Sequence, residues 1–205
     1  MVVLGLTGTV AMGKSRTAAL CARLGVPVFD SDAIARSVTG PGGVATVAVV
    51  AAFPEVGSGD VIDRAALART VFSDRSALRR LEAIVHPYVA RARESWLRRQ
   101  SLARAAVVVL DVPLLFETGG DAHCDAVLVV SAPGFLQRQR VLQRPNMDER
   151  RLRGILARQM PSSEQRRRAD VVIPTGQGLR VALRVLRQAL RRYGPRRRGR
   201  PRPLR

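Results

Sequence analysis

The chain has 205 residues, 46% of them hydrophobic and only 4% aromatic, and carries a formal net charge of +19. That length predicts one globular domain with a small added lobe, and so few aromatics imply a core of Val, Leu and Ala. No apolar run approaches a membrane span, no signal-like segment is read at the start, and Cys21 and Cys124 are too far apart for a metal knuckle or disulfide framework. The expectation is a reduced, cytoplasmic setting without a membrane partner.

Val2–Leu6 reads as a buried parallel strand. It runs into Gly8-Thr9-Val10-Ala11-Met12-Gly13-Lys14-Ser15, followed by Arg16 and a helix over Thr17–Leu24 that Gly25 ends. The loop fits G-x-x-x-x-G-K-[ST], and strand, glycine loop and helix together are the context in which that pattern works. Backbone N–H groups and a helix N-terminus converge there on an anion. Lys14 would reach the β- and γ-phosphates of a nucleotide, and the Ser15 hydroxyl would ligate Mg²⁺. Lys14 is the only lysine in a chain with 35 Lys and Arg. Arginine has replaced lysine everywhere except where a compact ammonium is wanted.

Val26–Phe29 reads as a second strand, leading into Asp30-Ser31-Asp32 and a short helix over Ala33–Val38 with Asp32 as its N-cap. Gly40–Gly43 breaks the chain. Val44–Phe53 is open between helix and buried strand, and Pro54–Asp60 reads as loop. From Asp63 to Arg104 the pattern is helical, interrupted at His86-Pro87, and suggests a helical lobe over about 60–104. Ala105–Leu110 and Ala126–Val130 are buried strands. Pro133–Arg144 and Met147–Met160 read as helices, Val171–Ile173 as the last strand and Leu179–Tyr193 as the closing helix. The basic end, Gly194–Arg205, reads as a disordered tail following a single domain over 1–193. Five strands alternating with helices predict an α/β fold, a five-stranded parallel sheet with helices on both faces. Ligands bind such sheets at the carboxyl ends of the strands, where Gly8–Ser15, Asp30–Asp32 and Asp111–Glu117 would gather.

Asp32 is the candidate base that orients an attacking hydroxyl, a role compatible with capping a helix. Asp111, after the apolar run Val107–Leu110, has the placement of a Mg²⁺-holding acid or of an ordinary strand-end turn residue. Arg140 and Arg144 share a helix face at a spacing that costs about 0.2–0.5 kcal/mol in isolation, which suits a lid that neutralises phosphoryl charge or a solvated face. His86 has no partner nearby in sequence and reads by itself as structural. The arginine-rich tail offers nucleic acid no stacking platform, so a nucleic-acid partner is not the favoured reading.

With these pieces placed, the chain resembles the dephospho-coenzyme A kinases, members of the P-loop NTPase class. The resemblance runs from Val3 to about Tyr193. It rests on Gly5-Leu6-Thr7-Gly8 with Gly13-Lys14-Ser15, on Asp30-Ser31-Asp32-Ala33-Ile34-Ala35-Arg36 and on Val85-His86-Pro87. Val112-Pro113-Leu114-Leu115-Phe116-Glu117, Gln143-Arg144 and Ala169-Asp170-Val171-Val172-Ile173 complete it. The resemblance implies phosphorylation of the ribose 3′-hydroxyl of dephospho-CoA by ATP with Mg²⁺. It implies Asp32 as base, Arg140 and Arg144 as phosphate clamps, and His86, Pro113, Leu114, Leu115 and Glu117 on the acceptor side. It also implies a CoA lobe within the helical block and a lid over 133–160.

The loop departs from the pattern usual in these enzymes, since Thr9 and Ala11 stand at glycine positions, Ala11 with a Cβ that restricts a positive φ, and Arg16 at a threonine position. Ile173-Pro174-Thr175-Gly176 lacks the asparagine that often follows the last strand. The rival readings are another P-loop phosphotransferase acting on a nucleoside, nucleotide or sugar, and a nucleic-acid binder that uses the tail. A chain whose only lysine is Lys14 has no N-K-x-D guanine-reading motif.

Overall fold

The apolar run near the start of the chain becomes β1 (Val2–Thr7), the centre of a five-stranded sheet in the computed structural model, which describes residues 1–59 and 61–194. β5 (Val107–Asp111) and β6 (Ala126–Ser131) flank it in parallel, so that Leu4 lies opposite Val109 on one side and Ala126 on the other. β7 (Val171–Pro174) runs parallel to β6, and β2 (Val28–Asp30) borders β5, giving the order β2-β5-β1-β6-β7. The centre of the sheet is a switch point, where the chain leaves β1 between two strands reached in opposite directions. Ligand crevices open there, at the carboxyl ends.

Every residue of β5 and β6 is buried, because both faces of the sheet are covered. On one face Leu4, Leu6, Val109, Leu128, Val130 and Ile173 pack with Leu20, Cys21 and Leu186 of α1 (Lys14–Arg23) and α9 (Leu179–Tyr193). On the other, Val127 and Val129 pack with Leu115, Phe116, Met160 and Ala169, and α8 (Ser162–Arg168) lies against β6. Two aspartates set the strand register. Asp125 donates its N–H to the Val3 carbonyl while its Oδ2 accepts the Val3 N–H at 2.7 Å, and Asp170 does the same with Val127 at 2.8 Å. A one-residue slip would break both rings and turn the apolar side chains to the wrong face.

Asp30–Arg99 forms a second compact unit, the first being Met1–Phe29 with Gln100–Arg205. The second unit holds α2 (Ser31–Val38), α3 (Thr46–Ala52), a hairpin of β3 (Gly57–Ser58) and β4 (Val61–Ile62), α4 (Arg64–Ser73) and most of α5 (Arg75–Leu102). Its own core is built on Val38, Val49, Phe53, Val56, Leu67, Ala77 and Val85.

Several expectations are corrected. α5 runs unbroken through His86-Pro87. Proline within a helix costs about 3 kcal/mol in isolation, but Ala77, Leu81, Ile84 and Val85 before it and Tyr88 and Val89 after it all pack on one core, and Pro87 sits on the exposed side. Packing outweighs the local penalty. The ambiguous stretch 44–53 is helical as α3, because Val49 and Phe53 are fully buried one turn apart. Part of the stretch read as loop forms a 3₁₀ turn over Pro54–Val56 and then the hairpin. The helix expected over 133–144 is α6 (Gly134–Leu142), closing ahead of Pro145. That expected over 147–160 is α7 (Glu149–Leu156), which starts where Asp148 caps the Arg151 N–H, and α8 was not foreseen. Most of the expected basic tail, residues 195–205, lies outside the described residues. Among the described residues no helix is long and apolar enough to cross a membrane.

Candidate active site

The loop leaves β1 at Gly8, where a Cβ would stand 2.4 Å from the Val130 side chain, so only glycine fits between the strands. It enters α1 through Gly13, whose φ of 93° lies in the left-handed region. No side chain caps α1 and no acid occupies its first turn. The first N–H groups of a helix lack intrahelical partners and carry its positive dipole end. Here they sit at the carboxyl end of the central strand, with the Ser15 and Arg16 side chains exposed beside them. This is a site built for an anion.

Lys14 Nζ lies 2.6 Å from Asp111 Oδ1, with both side chains largely withdrawn from water. Asp111 is the last residue of β5, next to β1, so sheet order brings two residues distant in sequence together. The same carboxylate acts on Cys21, whose thiol is pushed up to about 12, first by burial and second by the Asp111 charge. Cys21 is therefore a core thiol without nucleophilic character at neutral pH. Lys14 and Asp111, singled out separately by sequence, form one unit.

On the far side of the loop, three side chains grip its backbone. Gln137 donates from Nε2 to both Thr9 Oγ1 (3.1 Å) and the Val10 carbonyl (2.9 Å). Gln159 accepts the Val10 N–H at 2.9 Å through Oε1. Arg140 donates to the carbonyls of Ala11 (3.3 Å) and Thr175 (3.0 Å). Thr175 in turn donates its hydroxyl to the Met12 carbonyl at 2.6 Å, and Met12 Sδ accepts the Ala132 N–H. Ala11, expected to resist a positive φ, has φ 58°. That conformation costs a residue bearing a Cβ about 1–2 kcal/mol. Arg144 is exposed on the solvent side of the same region, and Arg138 pairs with Glu149. The like-charge face is thus divided, with Arg140 turned onto the loop and Arg144 left in solvent.

Sequence reasoning missed Gln137 and Gln159. Gln137 had a signal, a polar residue one turn before the buried Val141 on the inner face of a helix. Gln159 had none, since its partner lies 149 positions away.

The Pro113–Glu117 block ties the end of β5 to its surroundings. The Pro113 carbonyl accepts the Thr7 hydroxyl at 3.1 Å, and Glu117 Oε1 accepts the Met160 N–H at 2.6 Å. Leu114 is half-buried. Leu115 is 1% exposed and fills the space left by the missing side chain of Gly5, where a Cβ would come within 2.6 Å of it. Leu115, expected on the acceptor side, is enclosed here, and packing is the contact the structure gives it.

In the second unit, Asp30 and not Asp32 is the N-cap of α2: its Oδ1 accepts the Ala33 N–H at 2.8 Å from an extended backbone. Asp32 lies in the first helical turn. The Asp32 carboxylate is exposed and has no protein partner among the described residues. His86 is exposed on α5.

A family model described as dephospho-CoA kinase matches residues 2–180. A curated protein of Rhodospirillum rubrum named dephospho-CoA kinase is 53% identical over 189 residues, 92% of this chain and 90% of that protein. Among solved structures, one from Thermus thermophilus is 36% identical with a TM-score of 0.79, covering 92% of this chain and 95% of that one. A dephospho-CoA kinase from Campylobacter jejuni shares the fold, with a TM-score of 0.62 at 19% identity over 94% and 97% of the two chains.

Proposed function

Since the chain belongs to the dephospho-CoA kinase family, we propose that Gly8–Ser15 holds the phosphates of ATP and that Asp32 activates the ribose 3′-hydroxyl of dephospho-CoA. The reaction is the final step of coenzyme A synthesis, transfer of a phosphoryl group from ATP to dephospho-CoA. One observation carries the residue assignment: an uncapped helix N-terminus and the chain's only lysine stand at the switch point of the sheet, beside a buried carboxylate.

Phosphoryl transfer asks a protein for positioning and charge neutralisation more than for covalent chemistry. The N–H groups at the head of α1 bind the phosphate oxygens. Lys14, held over the loop by Asp111, exchanges that carboxylate for phosphate oxygens as ATP enters. Asp32 accepts a hydrogen bond from the attacking hydroxyl and takes its proton. Arg140, anchored on the loop, and Arg144 beside it offset charge on the transferred group. Pro113, Leu114, Glu117 and His86 form the acceptor side in this reading, residues 60–104 the CoA lobe and 133–160 the lid.

Among the described residues no group of three or more His, Cys, Asp and Glu side chains is placed to hold a metal. The oxygens of Ser15 and Asp111 instead fit a Mg²⁺ that arrives on the nucleotide, since Mg²⁺ binds through one or two protein oxygens plus phosphates and water. Held by these oxygens, such an ion would supply neutralisation of phosphate charge. Cys21 and Cys124 form no disulfide, in keeping with a reducing cytoplasm as the working compartment.

The test is an ADP-release assay with a panel of acceptors. Release with dephospho-CoA, and none above background with nucleosides, nucleotides or sugars, is the expected result. Equal release with a nucleoside would refute the acceptor assignment.

A further inference from the structure

We propose that Gln137, Gln159 and Arg140 form a three-point clasp that holds the turn at Val10–Ala11, so that the phosphate loop is shaped for ATP before ATP arrives. The two torsions of Ala11 relate the peptide plane that carries the Val10 carbonyl to the plane that carries the Ala11 carbonyl. Gln137 holds the first plane at 2.9 Å and Arg140 the second at 3.3 Å. Gln159 holds the plane before them through the Val10 N–H at 2.9 Å. With the flanking planes fixed, the left-handed φ of 58° at Ala11 is over-determined from outside the loop. Released, an alanine reverts to the right-handed or extended regions, where its Cβ has room.

The clasp residues suit a positioning role. Gln137 is buried and uses both amide hydrogens on the loop, one on Thr9 and one on Val10, so its amide has a defined orientation. Gln137 and Arg140 are three apart on α6 and therefore share a face. Gln159 reaches the same segment from beyond α7. All three donors and acceptors meet backbone or side-chain atoms of Thr9, Val10 and Ala11, and none depends on a nucleotide.

The clasp rests on the reading of this loop as the ATP site. A double-mutant cycle between positions 11 and 137 separates it from a general structural role, with ATP dissociation constants measured by calorimetric titration. Gln137→Ala is expected to weaken ATP binding roughly tenfold where Ala11 is present. In the Ala11→Gly background, where a left-handed turn needs no outside hold, the same substitution is expected to cost only about two- to threefold. The KM for ATP follows these factors while that for dephospho-CoA stays put. Thermal unfolding midpoints report whether each variant folds. If Gln137→Ala does not fold, the half-buried Gln159→Ala runs the same cycle with the same expectation. Equal losses in the two backgrounds, with ATP still bound by the unsubstituted chain, would overturn the clasp alone. Failure of the unsubstituted chain to bind ATP would overturn the reading of the loop with it.

Discussion

Two aspartates separated by a single serine are assigned different work in this proposal, and substitution can separate them. Asp30 Oδ1 accepts the Ala33 N–H at 2.8 Å and satisfies one of the unpaired donors at the start of α2. Losing such a cap costs about 0.5–2 kcal/mol, whereas asparagine caps as well as aspartate. Asp30→Ala should therefore lower the thermal midpoint by roughly 1–8 °C for a chain of this size, and Asp30→Asn should leave it essentially unchanged. Asp32 caps nothing and its carboxylate is exposed. Asp32→Asn should leave the midpoint where it is and lower turnover by about 10²–10⁴-fold, the range for losing a general base. Paired melting curves and steady-state rates on the three variants measure both effects. Near-normal turnover in Asp32→Asn would remove Asp32 from its role. A collapse of turnover in Asp30→Asn at unchanged stability would move the base to Asp30.

The remaining predictions concern stability and the second carboxylate. Leu115→Ala should cost about 2–5 kcal/mol by urea unfolding, as for a leucine removed from a closed core, with little change in the KM for dephospho-CoA. A raised KM at unchanged stability would instead support the role on the acceptor side that the resemblance implies. Asp111→Asn leaves the partly buried Lys14 ammonium without its anion and should cost about 3–5 kcal/mol in the nucleotide-free protein, and an unchanged unfolding midpoint would show the pair to be dispensable. Hydrogen bonds from the Ala66 and Ala65 N–H groups hold the Asp63 carboxyl below its ordinary value. Its contribution to stability is therefore full above the unfolded-state value of about 4 and is lost as pH falls through the lower folded value. The difference in midpoint between the unsubstituted chain and Asp63→Ala should hold from neutral pH into the carboxylate range and shrink only below it.

Sequence pattern located the strands of the five-stranded sheet because burial on both faces leaves unbroken apolar runs, and β5 and β6 are of that kind. It located Gly8–Ser15 because glycines and a lysine at fixed spacing carry local geometric demands, which Gly8 and Gly13 meet. It failed where a distant contact overrides a local preference. Pro87 signals a break, yet the core of the Asp30–Arg99 unit keeps α5 continuous across it. Asp30 and Asp32 are equally good caps by residue type, and only the backbone conformation at Asp30 decides between them. The grip of Gln137, Gln159 and Arg140 on the loop spans between 127 and 149 positions, beyond any periodicity. Ala11 is the intermediate case: its type warned of strain, and the structure shows both the positive φ and the bonds around it.

The most direct test of the account identifies the product made from ATP and dephospho-CoA by the unsubstituted chain and by Lys14→Ala. Phosphorus NMR should show a new phosphomonoester at the ribose 3′ position with the first, at one equivalent per ADP released, and none with the second while its melting curve stays cooperative. A product phosphorylated elsewhere, or undiminished product from Lys14→Ala, would contradict it.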